Sequence, residues 1–282
     1  LGYEYLSFPD EPSEPEYADV KFRELIPEFM TADGRAREIA DKNLYKHQFE
    51  AIKALSEGKN VILISGTGSG KTEAWAIYTL KNRLRALAIY PTLALSQDQI
   101  NRLRSYYAAL GLREVVVEVD RPLIDKLGDP KKARELISKA LLIITNPAFL
   151  MADIKRLASG ARSRSRSILL DFLRDVDLII VDELDYYGSR RATLLLTLIE
   201  ILEEYVCSKR PQIVVLTATL GNPEELKQYL SQINGRNTEI IKGRAFKVRN
   251  FTYLVLGKNL RKIWYMIQSN RAKIEKKIYL IS

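Results

Sequence analysis

Residues 61–75 read VILISGTGSGKTEAW, and this stretch decides the fold. Its first four residues are apolar and include β-branched side chains, which is typical of a strand buried on both faces. Three glycines follow between Gly66 and Gly70, and the residues after Lys71 suit a helix. A strand, a glycine-rich turn and a helix in this order predict that the backbone approaches a ligand closely.

The spacing SxxxxGKT, from Ser65 to Thr72, fits a phosphate-binding loop. In such a loop, backbone N–H groups wrap phosphate oxygens, and the positive end of the following helix adds to the attraction. We therefore expect Lys71 to reach the β- and γ-phosphates of a nucleoside triphosphate and Thr72 to hold Mg²⁺. The predicted nucleotide-binding residues of the loop are Gly66, Thr67, Gly68, Ser69, Gly70, Lys71 and Thr72.

The composition restricts the class of protein. The chain has 282 residues, 46% of them hydrophobic, which suits one large domain or two small ones. Its single cysteine, Cys207, excludes an internal disulfide, and we expect it to be a small buried hydrophobe. No run of about 18 apolar residues predicts a membrane span, so we expect a cytoplasmic protein, nucleoid-associated if prokaryotic.

The charge is unevenly distributed along the chain. The net charge is +9, but residues 1–20 carry six acidic and no basic residues, so the rest holds 44 basic against 29 acidic side chains, a net of +15. This excess favours a polyanionic partner such as nucleic acid, although a thermophile-type surface explains it equally well. Residues 162–167, RSRSRS, predict either a grip on phosphates or a solvated surface loop.

From residue 61 onward, short apolar runs alternate with longer amphipathic stretches. This alternation predicts βαβ units, and hence an α/β fold with a doubly wound, mostly parallel sheet of about seven strands flanked by helices. Residues 1–20 are rich in proline and acids and predict an extended arm, which a helical pattern follows. The predicted strands cover residues 61–64, 86–90, 114–119, 141–145, 177–181, 212–217 and 238–241.

An acidic cluster follows the apolar run VDLIIV. Ligands of such a sheet gather at the carboxyl ends of its strands, so Asp182, Glu183 and Asp185 should lie beside the phosphate loop. We expect Asp182 to orient Mg²⁺ through water and Glu183 to position and activate the attacking water. The alternative is an acidic turn that caps the helix starting near Gly188.

A further polar cluster follows the run QIVVL. Thr217 and Thr219 come at the end of that predicted strand. Small hydroxyl side chains there can hydrogen-bond a neighbouring carboxylate such as Asp185. We expect these three residues to report the state of the nucleotide to another surface.

In order along the chain, SGTGSGKT, YPTLALSQDQ, TNPAFL, VDELD and LTATL resemble the motifs of superfamily-2 helicases of the DExD/H-box type. The resemblance spans residues 45–226. LYKHQFEAI at 44–52 is similar to an element of the RecQ-related 3′→5′ DNA helicases. The resemblance implies that the chain is the first RecA-like domain of a P-loop motor that hydrolyses ATP with Mg²⁺ and acts on nucleic acid, with DNA favoured.

The resemblance also implies roles for individual residues. Gln48, with Tyr45 or His47 beside it, would read the adenine edge of ATP. Lys71, Asp182 and Glu183 would be the catalytic residues. The residues that would hold the sugar-phosphate backbone of a single strand are Pro91, Thr92, Thr145 and Asn146.

The predicted domain organisation has three parts. Residues 1–44 form an N-terminal arm and helical lead-in, 45–250 the RecA-like domain, and 251–282 a linker towards a second RecA-like domain expected in the full-length chain. The family motor needs that second domain to complete its ATP site, so we expect the fragment alone to hydrolyse ATP slowly. A DEAD-box-like RNA helicase and a nucleotide-dependent clamp on nucleic acid, without processive unwinding, remain open as alternatives.

Overall fold

The structure is a computed structural model, which describes residues 4–9, 14–66, 68–92, 97–158, 167–244 and 251–256. The strands are β1 (Glu4–Pro9), β2 (Tyr17–Lys21), β3 (Asn43–Tyr45), β4 (Asn60–Ile64), β5 (Ala86–Ile89), β6 (Val116–Glu118), β7 (Leu142–Thr145), β8 (Leu178–Val181), β9 (Gln212–Thr217), β10 (Thr238–Lys242) and β11 (Phe251–Leu256).

The helices connect these strands in the alternating pattern that the sequence predicts. Short 3₁₀-helices cover Pro27–Met30 and Leu184–Tyr187. The α-helices are α1 (Phe22–Leu25), α2 (Arg35–Ala40), α3 (Lys46–Ser56), α4 (Lys71–Asn82), α5 (Gln97–Ala109), α6 (Arg121–Leu127), α7 (Pro130–Ser138), α8 (Pro147–Ala158), α9 (Leu170–Arg174), α10 (Gly188–Tyr205) and α11 (Pro223–Asn234).

All seven predicted strands lie in one sheet, in the order β10-β4-β9-β8-β5-β7-β6. Every pair of neighbours in this sheet runs parallel. The predicted parallel sheet of about seven strands is therefore confirmed. Parallel strands need long crossover connections, and the helices between them supply these.

Helices cover both faces of the sheet. Because side chains alternate along a strand, Val61 and Leu63 of β4 face one layer and Ile62 faces the other. The first layer is formed by α3, α4 and α5, and the second includes α8, α10 and α11. Burial on both faces explains why the strands read as uninterrupted apolar runs.

Residues 4–9 and 17–21 form paired strands, where the sequence predicts an extended arm. Strand β2 pairs antiparallel with β3, and the rings of Tyr17 and Tyr45 lie 5.2 Å apart across this pair. In a separate compact unit, β1 pairs antiparallel with β11. Composition alone missed both pairs because each partner strand comes from a distant part of the sequence.

Some predictions concern residues outside the described ranges, and others concern Cys207 and membrane-spanning helices. Residues 162–166 of the arginine-serine segment lie outside them, and so do residues 257–282 of the predicted linker. Cys207 is partly buried, and burial raises the pKa of its thiol to about 12. Within the described ranges, no helix is long and apolar enough to cross a membrane.

Candidate functional site

The polar residues that follow the strands lie along one edge of the sheet, in an order that differs from the sequence. The phosphate loop follows β4, and the next strand across is β9, which ends at Thr217. Asp182 follows β8, the neighbour of β9, and Pro91 comes after β5 beyond it. Thr217 therefore lies between the phosphate loop and the acidic cluster.

A cavity of about 890 Å³ opens at this edge. Small-molecule sites commonly enclose about 300–1,000 Å³, so the cavity suits a nucleotide. Thr67 lies outside the described residues, and Gly66 contributes through its backbone carbonyl instead of lining the cavity. The predicted site residues that line it are Tyr45, Gln48, Gly68, Ser69, Gly70, Lys71, Thr72, Asp182, Glu183 and Asp185.

The phosphate loop has a backbone that requires glycine. Gly68 and Gly70 have φ angles of +78° and +72°, in the left-handed region that other residues rarely adopt. A Cβ on Gly70 would collide with the side-chain amide of Gln48. The hydroxyls of Ser65 and Ser69 are buried and have no hydrogen-bond partner among the described residues. Buried, unpaired hydroxyl donors in such a loop fit an anion such as phosphate.

The ammonium group of Lys71 lies inside this loop. Its Nζ donates to the carbonyl oxygens of Ser65 at 2.7 Å and Gly66 at 3.1 Å. Burial lowers the pKa of Lys71, and the nearby carboxylates, led by Asp182, oppose that shift. A phosphate oxygen would attract this cation more strongly than the neutral carbonyls do, because it adds the Coulomb attraction between two opposite charges in a partly buried site.

Asp182 is the most buried acid that lines the cavity, with 3% of its surface exposed. Burial raises the pKa of its carboxyl to about 6, although the backbone N–H of Glu183 donates to it at 2.8 Å and opposes the shift. The side chain of Tyr90 also opposes this rise in the pKa of Asp182. A nearby cation would stabilise the ionised form of this buried carboxyl group and lower its pKa.

The residues around Asp182 fit a magnesium ion. Mg²⁺ in nucleotide sites takes one or two protein oxygens and completes its shell with water and phosphate. Thr72 and Asp182 line the same cavity as the phosphate loop and offer a hydroxyl and a carboxylate oxygen. Within the described ranges, no group of three or more His, Cys, Asp or Glu residues forms an all-protein metal site.

Glu183 has an unusual backbone conformation. Its φ angle is +52°, in the left-handed region, and it immediately precedes the 3₁₀-helix Leu184–Tyr187. For a residue with a side chain this conformation costs about 1–2 kcal/mol. Strain of this kind persists where the surrounding structure enforces it, and it clusters at functional sites.

The expected hydrogen bond between the acidic cluster and β9 is present. The Thr217 hydroxyl donates to Asp185 Oδ1 at 2.9 Å, and the backbone N–H of Ala218 donates to the same oxygen at 3.3 Å. The Thr217 hydroxyl is also 2.7 Å from the carbonyl oxygen of Thr219. Thr219 therefore takes part through its backbone carbonyl.

Gln48 is buried beside the phosphate loop. Its Oε1 accepts from the backbone N–H of Tyr45 and its Nε2 donates to the carbonyl of Gly70, both at 2.8 Å. An amide group retains a second hydrogen and a second lone pair, so these bonds leave capacity for a nucleotide base. His47 packs its ring against Tyr45 and contacts the carbonyl of Ser69 at 2.9 Å.

The structure brings together only some of the residues that were predicted to hold single-stranded nucleic acid. Pro91 and Asn146 line a second groove of about 350 Å³, and the Thr92 hydroxyl is buried without a partner among the described residues. Thr145 is fully buried, and its hydroxyl donates to the carbonyl of Val119 at 2.7 Å. This corrects the expectation for Thr145. Its hydroxyl is enclosed and already hydrogen-bonded, so it cannot contact a nucleic-acid strand.

The sequence did not single out several other residues that line the large cavity, among them Tyr17, Glu73, Gln99 and Arg102. Gln99 is the last residue of the stretch YPTLALSQDQ, so its place in that motif could have indicated that it belongs to the site. Tyr17 offers no such signal, because it comes from the segment whose composition predicts an arm.

Sequence comparison identifies a family and several relatives. A model of the family described as DEAD/DEAH box helicase matches residues 45–226. Over 203 residues the chain is 28% identical to the ATP-dependent helicase HRQ1 of Saccharomyces cerevisiae, covering 68% of this chain and 18% of that protein. It is 30% identical over 203 residues to the ATP-dependent DNA helicase Hel308 of Pyrococcus abyssi, covering 69% and 24%. The chain thus spans under a third of these relatives.

Solved structures share the fold. The crystal structure of the DUF1998 helicase MrfA bound to DNA and AMPPNP matches with a TM-score of 0.66 and 19% identity, over 94% of this chain and 37% of that one. The DEAD-box helicase Mss116 bound to ssRNA and UDP-BeF matches with a TM-score of 0.58 and 20% identity, over 80% and 46%. The predicted RecA-like α/β fold and the superfamily-2 resemblance are confirmed.

Proposed function

Because the chain belongs to the DEAD/DEAH box helicase family, we propose that it is the first motor domain of an ATP-driven nucleic-acid helicase or translocase that acts on DNA. Family membership implies the use of ATP. The preference for DNA is supported by relatives such as the Hel308 proteins, which are named DNA helicases. A cytoplasmic location and the RecQ-related subgroup stay predictions.

One observation carries the proposal: a single cavity brings the phosphate loop and the acidic cluster together. Lys71 leaves the carbonyls of its own loop and binds the β- and γ-phosphates. Thr72 and Asp182 would hold Mg²⁺, which would supply positive charge to neutralise those phosphates. Glu183 accepts a proton from the attacking water, as a general base at the rim of the cavity.

The energy of hydrolysis is passed on through the contact of β9 with the acidic cluster. Asp185 is bonded to Thr217, whose strand lies beside that of the phosphate loop. A change in the position of Asp185 during the ATP cycle therefore moves the end of β9. Pro91, Thr92 and Asn146 contact the backbone of a single strand, and such contacts do not read base sequence.

We also propose that the working protein contains a second RecA-like domain and that the boundaries 1–44, 45–250 and 251–282 describe this part of it. The greater length of the relatives supports this proposal. A second domain that closes over the cavity would complete the ATP site. The 282-residue chain alone is then expected to hydrolyse ATP slowly.

The test is ATP hydrolysis by the longest natural form of the protein, measured without nucleic acid, with single-stranded DNA, and with RNA of the same sequence. We expect DNA to stimulate hydrolysis and Glu183→Gln to abolish it while nucleotide binding persists. Glu135→Gln changes an exposed glutamate paired with Lys139 and serves as the matched control. ATP binding without stimulation by either polymer would favour a clamp, and stimulation by RNA alone would favour an RNA helicase.

A further inference from the structure

Helix α5 presents three polar side chains to the start of helix α4. Gln99, Arg102 and Tyr106 are spaced by three and four residues, so they share one face of α5. Their partners are Thr72, the last residue of the phosphate loop, and Glu73, which both lie in the first turn of α4. This contact between two helices places α5 beside the nucleotide cavity, although none of the three residues belongs to the phosphate loop.

The contact nearest the nucleotide joins Gln99 to Thr72. The Thr72 hydroxyl donates to Gln99 Oε1 at 3.3 Å. Thr72 is 4% exposed, and both residues line the large cavity. A hydroxyl has one proton and two lone pairs, so a proton committed to Gln99 leaves the lone pairs directed elsewhere. That orientation suits an oxygen that must coordinate a cation.

A buried ion pair fixes α5 in this position. Glu73 Oε1 lies 3.2 Å from Arg102 Nη1 and accepts from the Tyr106 hydroxyl at 3.0 Å. The Glu73 side chain is 7% exposed and that of Arg102 is 30% exposed. Burying a glutamate is costly unless it is paired and hydrogen-bonded, and both conditions are met here. The two helices are therefore held together one turn away from the Gln99 contact.

We propose that Gln99 is a positioning residue for magnesium binding, because it takes the proton of the Thr72 hydroxyl and directs the oxygen lone pairs towards the ion. The inference rests on the proposed function, in which Thr72 is a magnesium ligand. Hydrogen-bond partners of metal ligands commonly change metal affinity when they are removed.

The experiment measures binding of a fluorescent ADP analogue to the full chain in excess Mg²⁺ and in EDTA. The readout is the dissociation constant in EDTA divided by the dissociation constant in Mg²⁺. This ratio reports how much the metal contributes to binding, without any catalytic turnover. We expect Gln99→Leu to reduce this ratio about tenfold while leaving affinity in EDTA unchanged. Gln99→Glu keeps an acceptor for the Thr72 proton and adds a negative charge that attracts the cation, so its ratio should not fall below that of the wild type.

Gln97→Leu is the matched control, since Gln97 lies on the same helix but contacts Glu118 at the surface. Gln99→Asn, which shortens the side chain and withdraws the acceptor, replaces the leucine variant if that variant does not fold. If Gln99→Leu has the wild-type ratio, or loses as much affinity in EDTA as in Mg²⁺, the inference about Gln99 is wrong but the proposed function stands. Wild-type protein that binds no ADP, or gains nothing from Mg²⁺, overturns the proposed function and the inference with it.

Discussion

The Thr217 hydroxyl donates to the Asp185 carboxylate at 2.9 Å, which joins the end of strand β9 to the acidic cluster after β8. Because β9 lies between β4 and β8, this bond lies between the two strands that carry the proposed ATP site. The pair is well placed to pass a change at the nucleotide to the rest of the sheet edge.

Thr217→Val keeps the volume of the side chain and removes its hydroxyl. Because coupling between sites is typically worth 1–3 kcal/mol, we expect stimulation of ATP hydrolysis by DNA to fall about fivefold or more. Basal hydrolysis should change much less. Hydrolysis rates with and without DNA check this, and Thr193→Val, on the exposed surface of α10, is the control. Undiminished stimulation in Thr217→Val would remove the coupling role.

Glu183 combines a chemical role with a strained backbone. Glu183→Gln and Glu183→Ala should each lower the hydrolysis rate by about a hundredfold or more, because the general base is lost. Glu183→Gly should lose hydrolysis equally but raise the free energy of unfolding by up to about 1 kcal/mol, since glycine relieves the left-handed strain.

The measurement is chemical denaturation of the three Glu183 variants beside the wild type. Glu183→Ala retains a Cβ and therefore the strain, so it is the control for the glycine variant. If glycine and alanine variants unfold at the same denaturant concentration, the backbone at this position is not strained in solution.

Gly70 and Gly68 have similar φ angles but different surroundings. Gly70→Ala adds a Cβ that meets the Gln48 amide, whereas no described atom lies within 4 Å of a Cβ on Gly68. Both substitutions introduce backbone strain of about 1–2 kcal/mol. We expect Gly70→Ala to weaken ADP binding more than Gly68→Ala, because it also displaces Gln48 from the loop. Calorimetric titration with ADP decides this, and equal losses would contradict the role of Gln48 in shaping the loop.

His47, the single histidine of the chain, makes stability depend on pH. Burial lowers the pKa of His47 below its usual value of 6.5. Between the folded and the unfolded pKa, the unfolded chain binds more protons, so the free energy of unfolding falls as the pH drops below 6.5. The slope from this residue is at most about 1.4 kcal/mol per pH unit.

The pH effect is measured as the difference in unfolding free energy between wild type and His47→Gln from pH 7 to pH 5. Asp182 titrates in the same window with the opposite sign, because its folded pKa is raised to about 6. That contribution is common to both proteins and cancels in the difference. A difference that does not change with pH would mean that His47 is not buried in its neutral form.

Asn60 lies at the opposite edge of the sheet from the cavity and is completely buried. Its Oδ1 accepts from the backbone N–H of Ile213 and from Asn234, and its Nδ2 donates to Asn234. Asn60→Ala leaves these groups unpaired, so we expect the free energy of unfolding to fall by about 3 kcal/mol. Asn82→Ala removes an exposed side chain of the same type and should cost less than about 0.5 kcal/mol. Equal losses in denaturant titrations would contradict the importance of the buried network.

The sequence by itself determined the seven strands, the phosphate loop and the acidic cluster. Each is encoded within a few adjacent residues: an apolar run between polar ends, glycines at fixed spacing before Lys71, or acids directly after a strand. Such local patterns can be recognised without knowing which segments pack against them, because backbone conformation and burial on both faces constrain the residue type at each position.

Only the tertiary structure decided which of these pieces meet. It placed Thr217 between the phosphate loop and Asp182, paired β2 with β3, and set Gln99 against Thr72. It also enclosed Thr145, which the motif alone had placed at a strand-binding surface. Strand order and helix packing are properties of contacts between segments far apart in the chain, and the burial of a given hydroxyl depends on those contacts and not on its own neighbours in sequence.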